Sequence, residues 1–463
     1  MSALGSASFA AAMRAFAPFE PKPRVAVAVS GGADSTALAI FTDRWARARG
    51  GDAIALTVDH RLRTESTTEA RTVGRWLKSR DIRHVRLTWR HEETSEVTER
   101  ANLQARARGA RYRLMSDWCV RNGILHLLVA HHRDDQAETL LLRLARGSGV
   151  DGLAAMAPVV HTGGVRILRP LLGWSREGIE TALHAMGQPW IDDPSNRNTH
   201  FARVRVRALR APLAAEGLTG ERLAETAARL RRARASLETA TAEVLAWAAT
   251  PSAEGFVRLD RDRLLGAPEE IALRVLARLV AAVGGCPYVP RREGTERLLR
   301  TLAAAPTWRV GSAAADRVAA TLGGTLIVAE RDGAILAVRE PAAVAGAVAL
   351  VPTGECRWDG RFQLRVRNRG TRRFPAVTVG ALGESGARRL LRDRTAEAGL
   401  LMGIPRRARP TLPALFDAEG RLIGLPIYPF DAYGRGRSDA DSLAVEARFA
   451  PALPLVGPGF MLV

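Results

Sequence analysis

Six consecutive residues, Ser30-Gly31-Gly32-Ala33-Asp34-Ser35, are of the types that hold a phosphate chain. Two adjacent glycines let the backbone turn sharply and leave its N–H groups uncovered. They follow an apolar run, Val25-Ala26-Val27-Ala28-Val29, with the composition of a strand buried on both faces. A helix-like run, Thr36-Ala37-Leu38-Ala39-Ile40, comes next, so Ser35 and Thr36 fall near a helix N-terminus. Strand, glycine turn and helix start together aim bare amides and the positive end of a helix dipole at an anion. Ser30 and Ser35 add hydroxyl donors, and Asp34 can hold a magnesium ion or orient the loop. The loop has no lysine, so it is not Gly-x-x-x-x-Gly-Lys-Ser/Thr, and it is not Gly-x-Gly-x-x-Gly. An ordinary small-residue turn would account for two glycines, but not for all six residues behind a valine-rich strand.

A second polar group, Thr57-Val58-Asp59-His60, closes another apolar run. A carboxylate and an imidazole at a strand's C-terminal end lie at the rim of a site. The third constellation is Ala130-His131-His132-Arg133-Asp134-Asp135-Gln136-Ala137-Glu138-Thr139. Tandem histidines diverge, whereas zinc pairs prefer spacings such as i, i+4, so zinc is not expected. Asp134 and Glu138 are four apart and share one helix face. Acids also suit a helix start, but five polar residues in a row exceed what capping requires. Arg108 and Arg111 are three apart on a helix-like run. Trp190-Ile191-Asp192-Asp193-Pro194-Ser195-Asn196 precedes Arg203-Val204-Arg205-Val206-Arg207, an arginine cluster suited to phosphate contact or to a solvated strand edge.

The elements that must position these groups alternate from residue 25 to about 210. Strands are expected at 53–58, 85–89 and 124–130, and helices at 65–78, 102–121 and 134–146, the last ending at Gly147. That series implies an α/β fold with a doubly wound, mostly parallel sheet. Ligands on such sheets bind outside the carboxyl ends of the strands, where Ser30, Asp59 and His131 fall. A mainly helical region follows over 213–335, with helices near 223–249, 268–283 and 295–304 and a strand near 323–330. Residues 341–348 read as a linker or edge strand. A small α+β region spans 345–463, with 362–367 its clearest strand. Phe9, Met13 and Phe16 at helical spacing predict an amphipathic helix rather than a signal peptide.

The 463 residues are enough for about three domains. Hydrophobic and charged contents of 47% and 25% are those of a soluble globular protein. No apolar run is long enough to span a bilayer. Cys119, Cys286 and Cys356 are too far apart for a disulfide framework or a cluster, which fits a reducing cytoplasm. Only Lys22 and Lys78 are lysines, so arginine carries the formal charge of +20. That excess points to a polyanionic partner, nucleic acid first.

Ser-Gly-Gly-x-Asp-Ser resembles the loop of ATP pyrophosphatases, which cut ATP between its α and β phosphates. With Val58-Asp59-His60-Arg61-Leu62-Arg63, Ala107-Arg108-Gly109-Ala110-Arg111-Tyr112, the His131 to Thr139 run, Arg146-Gly147-Ser148-Gly149 and Asp192 to Asn196, the chain resembles the tRNA(Ile)-lysidine synthetase family. These motifs cover residues 25 to about 210. Arg61 stands where that family usually has glycine, and Val204 where it usually has asparagine. Gly403-Ile404-Pro405-Arg406-Arg407 and Leu415-Phe416-Asp417 are similar more loosely.

The resemblance implies a PP-loop catalytic domain over 1–212 and tRNA-binding domains over 213–335 and 345–463. It implies ATP and Mg²⁺ as cofactors, a minor isoleucine tRNA with a CAU anticodon as partner, and free L-lysine as co-substrate. A monomer and a homodimer both remain open. Ser30, Gly31, Gly32, Ala33, Asp34, Ser35, Asp59 and His60 would bind the nucleotide, with Asp34 on magnesium. Asp34, Arg108, His132 and Asp135 would act in the reaction. Asp134, Glu138, Arg111, Asn196, Arg203, Arg205 and Arg207 would contact lysine or tRNA. A PP-loop tRNA thiolase would need neighbouring cysteines, which are absent. Another adenylating ligase would not need an arginine excess, and a bare RNA-binding protein would not need the acidic motifs.

Overall fold

The computed structural model describes residues 4–59, 65–89, 103–192, 200, 202–304, 319–330, 332–351, 353–368, 376–393, 396–427, 430–431 and 443–456. Two compact units meet in sequence at Ser236 and Leu237.

The first unit opens with α1 (Ser6–Arg14), then β1 (Arg24–Ala28), α2 (Ala33–Arg47), β2 (Asp52–Asp59), α3 (Glu65–Ser79), β3 (Arg83–Thr88), α4 (Leu103–Arg121) and β4 (His126–Leu128). It continues through α5 (Arg133–Leu144), α6 (Val150–Leu153), a hairpin of β5 (Val159–Thr162) and β6 (Val165–Leu168), α7 (Arg176–Ala185), α8 (Ala202–Ala208) and α9 (Arg210–Ala215). The boundary falls within α10 (Gly220–Ala248). The sheet order is β3-β2-β1-β4-β6-β5. The first five strands are parallel, and β5 is antiparallel at the edge. The chain winds outward in opposite directions from β1 and β4, which makes their shared C-terminal end the crevice of the sheet.

Alternation along β1 explains why this strand is central. Val25, Val27 and Val29 pack with Phe9 and Met13 of α1, Leu38 and Phe41 of α2, and Ile179 and Leu183 of α7. Ala26 faces the other way, onto Ile54 and Leu56 of β2 and Met115 and Cys119 of α4. Each large buried side chain contributes roughly 1.5–3 kcal/mol relative to exposure. The expected N-terminal amphipathic helix is α1, with Phe9 and Met13 fully buried. The end of α5 also agrees with the sequence reading: Gly147 sits at φ 71°, and Ser148 N–H closes onto Arg143 O at 3.0 Å.

One local reading changes. Ala202–Ala208 is helical, although its arginines alternate with valines as in a strand. Arg203 and Arg207 both reach Glu138, and a spacing of four puts them on one helical face. The stretch 341–348 agrees with the linker or edge strand expected there: a 3-10 turn, Pro341–Ala343, leads into the two-residue strand Val348–Ala349 at the edge of a four-stranded sheet.

The second unit carries three helices at Arg261–Leu265, Glu269–Gly284 and Arg292–Ala304. Beside them is a five-stranded antiparallel sheet formed by residues 249–251, 257–260, 334–339, 325–329 and 319–322 in spatial order. The sequence reading found one of those five strands; three of the others have only three or four residues, too few to show a period, and the six-residue Ala334–Arg339 was missed as well. Two further four-stranded antiparallel sheets and the helices Gly383–Arg392 and Ala396–Met402 complete this unit.

Candidate active site

Parallel pairing of β1 with β4 places Val27 beside Leu128 and so carries both chains to the same edge. Beyond that edge lie Ser30 to Ser35 on one side and His131 to Asp135 on the other. Gly31 has φ 93°, and a Cβ there would lie 2.7 Å from Val73 Cγ2 and 3.0 Å from Ile191 Cδ1. Only glycine fits this turn, whose carbonyl accepts from Ile191 N–H at 2.9 Å. Gly32 caps α2 and leaves the first-turn amides facing the crevice. Ser35 Oγ donates to Gly32 O at 3.0 Å and accepts from Ser30 N–H at 3.1 Å, which locks the loop. Ser30 itself is exposed and Ala33 is buried.

Asp34 stands in the first turn of α2, with its Oδ2 3.7 Å from His132 Nε2. Its Oδ1 is buried and has no hydrogen-bond partner among the described residues. Burial pushes its carboxyl above the ordinary carboxylate range, against the pull of His132. His132 precedes α5, and its Nε2 lies 3.5 Å from Asp135 Oδ2. Asp135 also accepts from His132 backbone N–H at 3.1 Å. Burial works to raise the Asp135 carboxyl, but His132, His131, Arg203 and that N–H outweigh it and hold it below its usual range. One imidazole thus joins a carboxylate from each of two adjacent strand ends.

His131 has a different environment. Arg169, at the end of β6, donates from Nε to His131 Nδ1 at 3.2 Å. Burial, reinforced by Arg169, Arg108 and Arg203 and opposed by Asp135, pushes the His131 imidazole down to about 3. Arg108 and Arg111 follow on α4; the Arg108 guanidinium lies 5.5 Å from the centre of the Tyr112 ring. Asp59 ends β2, is buried, and accepts from Thr67 Oγ1 at 2.9 Å. His60 and Asn196 lie outside the described residues.

The acids expected to contact lysine or tRNA are engaged within the chain. Glu138, 1% exposed, accepts from Arg207 at 2.8 and 3.3 Å and lies 3.4 Å from Arg203. Asp134 accepts from Arg210 at 3.0 Å and from Arg176 N–H at 3.0 Å. Arg203 also donates to Thr139 Oγ1 at 3.1 Å, while Arg205 donates to His200 O at 2.8 Å. The Glu138 hydrogen bond raises the Arg207 guanidinium further. Asp134 and Glu138 therefore clamp α8 and α9 onto α5. Sequence reasoning missed Arg169, Arg176 and Arg210. Nothing in a chain of 66 arginines separates these three from the rest.

A glycine turn that bares amides at the crevice of a parallel sheet, facing an Asp–His–Asp group, defines a nucleotide-using PP-loop enzyme. Residues 6–213 match the PP-loop domain family, so ATP is the nucleotide this chain uses. The tRNA(Ile)-lysidine synthase of Ruegeria pomeroyi is 38% identical over 382 residues, covering 81% of this chain and 82% of that one. Its counterpart from a Bradyrhizobium species is 40% identical over 339 residues, or 70% of this chain and 92% of the other. That of Wolbachia pipientis is 34% identical over 346 residues, or 74% and 77%. The chain belongs to the tRNA(Ile)-lysidine synthase family. Among the described residues, no helix is long and apolar enough to cross a membrane.

Proposed function

We propose that this chain uses ATP to attach free L-lysine to carbon 2 of the wobble cytidine in a minor isoleucine tRNA with a CAU anticodon. The observation that carries this reading is the pairing of Asp34 from the phosphate loop with His132 and Asp135 from the next strand end. The reaction has two steps. The cytidine 2-carbonyl oxygen attacks the α-phosphorus of ATP, a P–O bond forms, and pyrophosphate leaves. An amine of lysine then attacks carbon 2, and the bond between carbon 2 and its original oxygen breaks, so that AMP leaves carrying that oxygen. The base afterwards pairs with A rather than G.

The residues match those demands. Amides and hydroxyls of Ser30 to Ser35 hold the leaving pyrophosphate. The unpartnered, buried Oδ1 of Asp34 fits a hard divalent cation, which takes few protein ligands and completes its shell with phosphate oxygens and water. Mg²⁺ held there would neutralise charge on the phosphates. Arg108 offsets charge on the α-phosphate or on the oxygen leaving carbon 2. Lysine's amine has an ordinary pKa of about 10.4, so it must lose a proton before attack. Asp135, held as a carboxylate, and His132 position it and take that proton. A cavity of about 320 Å³ between α5, α8 and α9 has Glu138 and Arg210 on its wall beside Leu141, Val206 and Leu213. Its apolar lining suits the aliphatic stem of an amino acid, while Glu138 and Arg210 are paired with Arg207 and Asp134.

Residues 1–212 carry the reaction, while 213–335 and 345–463 grip the tRNA. Exposed Arg388, Arg389, Arg392, Arg406 and Arg407 suit phosphate contact in the last of these. The reaction belongs in the cytoplasm, where its substrates are. Incubation with ATP, radiolabelled lysine and isoleucine tRNA bearing CAU should place label in the tRNA. ATP–pyrophosphate exchange without labelled tRNA would point instead to another adenylating ligase. Binding of tRNA should also be strongly salt-dependent. For roughly six to ten phosphate contacts, raising salt from about 50 to 200 mM should weaken affinity on the order of 10³–10⁵-fold. A flat response in filter binding would contradict an electrostatic grip.

A further inference from the structure

The tandem histidines face opposite environments, and the groups around His131 determine its form. A guanidinium carries only donors and stays protonated at every working pH. Arg169 is 6% exposed and anchored by Nη1 to Ala157 O at 2.7 Å, so it cannot swing away. The ring nitrogen that receives its Nε–H at 3.2 Å must present a lone pair. Turning the imidazole over would set a C–H against a buried cation and forfeit the hydrogen bond. The proton of a neutral His131 therefore sits on Nε2. The charged and titratable groups facing this ring are Arg169 from β6, Arg108 from α4, Arg203 from α8 and Asp135 from α5. Three cations against one carboxylate oppose a second proton. His132, by contrast, has Asp34, Asp135 and Asp134 at 3.7, 3.5 and 4.0 Å.

We propose that Arg169 is a positioning residue that fixes His131 as a neutral Nε2–H donor, so that His131 offers a hydrogen bond to a substrate oxygen and leaves proton removal to its neighbour. This deepens the lysidine reading and rests on it for the identity of that oxygen, a phosphoryl oxygen or the pyrimidine carbonyl. Opposed environments on two adjacent titratable groups are how a site separates a donor from a base. A neutral donor also avoids placing a further cation beside Arg108 while still polarising the oxygen.

The test is ¹⁵N NMR of the histidine-labelled full chain, with His131→Asn assigning its signal among the nine histidines. Expected is one imidazole protonated at Nε2 and bare at Nδ1, unchanged from about pH 8 down to about pH 5, well below the ordinary histidine value of about 6.5. Titration near that ordinary value, or a proton on Nδ1, overturns the proposal. Neither measurement depends on a variant of Arg169 folding. In Arg169→Met, His131 should titrate at a higher pH than in wild type, while burial, Arg108 and Arg203 still hold it below about 6.5, and kcat should fall on the order of tenfold at pH 8 and further as pH falls through the new value. KM for ATP should stay within about twofold, and Arg169→Lys, which keeps a donor and the charge, should restore the pH profile in part. A pH profile identical to wild type in Arg169→Met would also sink the idea. If the lysidine reading failed instead, no form would label tRNA, while the NMR result would stand.

Discussion

Asparagine in place of Asp34 is expected to lower lysidine formation about 10²–10³-fold, the scale of losing one preorganised electrostatic contact at a reacting phosphate. The substitution keeps size and shape, so the turn around Gly31 and Gly32 should persist. What it removes is the negative charge at Oδ1, the buried oxygen that accepts no hydrogen bond among the described residues. The stability effect should have the opposite sign. Burial raises the Asp34 carboxyl in the folded chain, so the folded state binds that proton more tightly than the unfolded chain does. Its contribution is then greatest below the ordinary carboxylate value and declines as pH rises through the folded one. At neutral pH the ionised group opposes folding, and Asp34→Asn should melt no earlier than wild type. ATP–pyrophosphate exchange in the presence of tRNA, read beside a thermal melt, separates the two effects. Wild-type exchange in the variant would remove Asp34 from the reaction; a large loss of Tm would mean that the carboxylate is structural.

That combination of function gained at a cost in stability also explains what the sequence disclosed. Ser30 to Ser35 and His131 to Glu138 were legible because each breaks a local rule. Polar residues crowd the ends of apolar strands, where capping needs one or two of them. β1 was legible because burial on both faces writes an uninterrupted apolar run. Arg169 was not, because its importance comes from a contact with His131, 38 residues earlier, and from burial that no local pattern records. Ala202–Ala208 left a solvated strand edge open because its valines and arginines have period two, yet Glu138 selects residues four apart. Tertiary ion pairing outweighed a weak local preference there. The short antiparallel strands of the second unit escaped for a simpler reason: Val257–Asp260 and Ala319–Leu322 are four residues each and hold no measurable period.

Alanine at Glu138 is expected to destabilise the first unit by about 3 kcal/mol, because removing one partner of a buried pair strands the other charges. Glu138 is 1% exposed, and it faces two arginines that are 29% and 40% exposed. Water can reach those guanidinium groups in part, so the loss should fall at the low end of the range for fully buried pairs. Without the carboxylate, Arg203 and Arg207 sit four residues apart on one helix face as uncompensated like charges. Thr139 still accepts from Arg203, but nothing in that contact holds Arg207. For a unit of this size, about 3 kcal/mol corresponds to a fall in Tm of roughly 6–12 °C. A double replacement, Glu138→Leu with Arg207→Met, should recover much of that loss, since an apolar pair of similar volume commonly matches a buried ion pair. The two outcomes distinguish a structural clamp from a substrate contact. If Glu138 serves only to hold α8, the double variant regains both stability and lysidine formation. If the carboxylate also receives the ammonium of lysine, stability returns while KM for lysine stays high. Loss of less than about 0.5 kcal/mol in Glu138→Ala, the level of an exposed pair, would mean that this acid does not hold α8 against α5 at all.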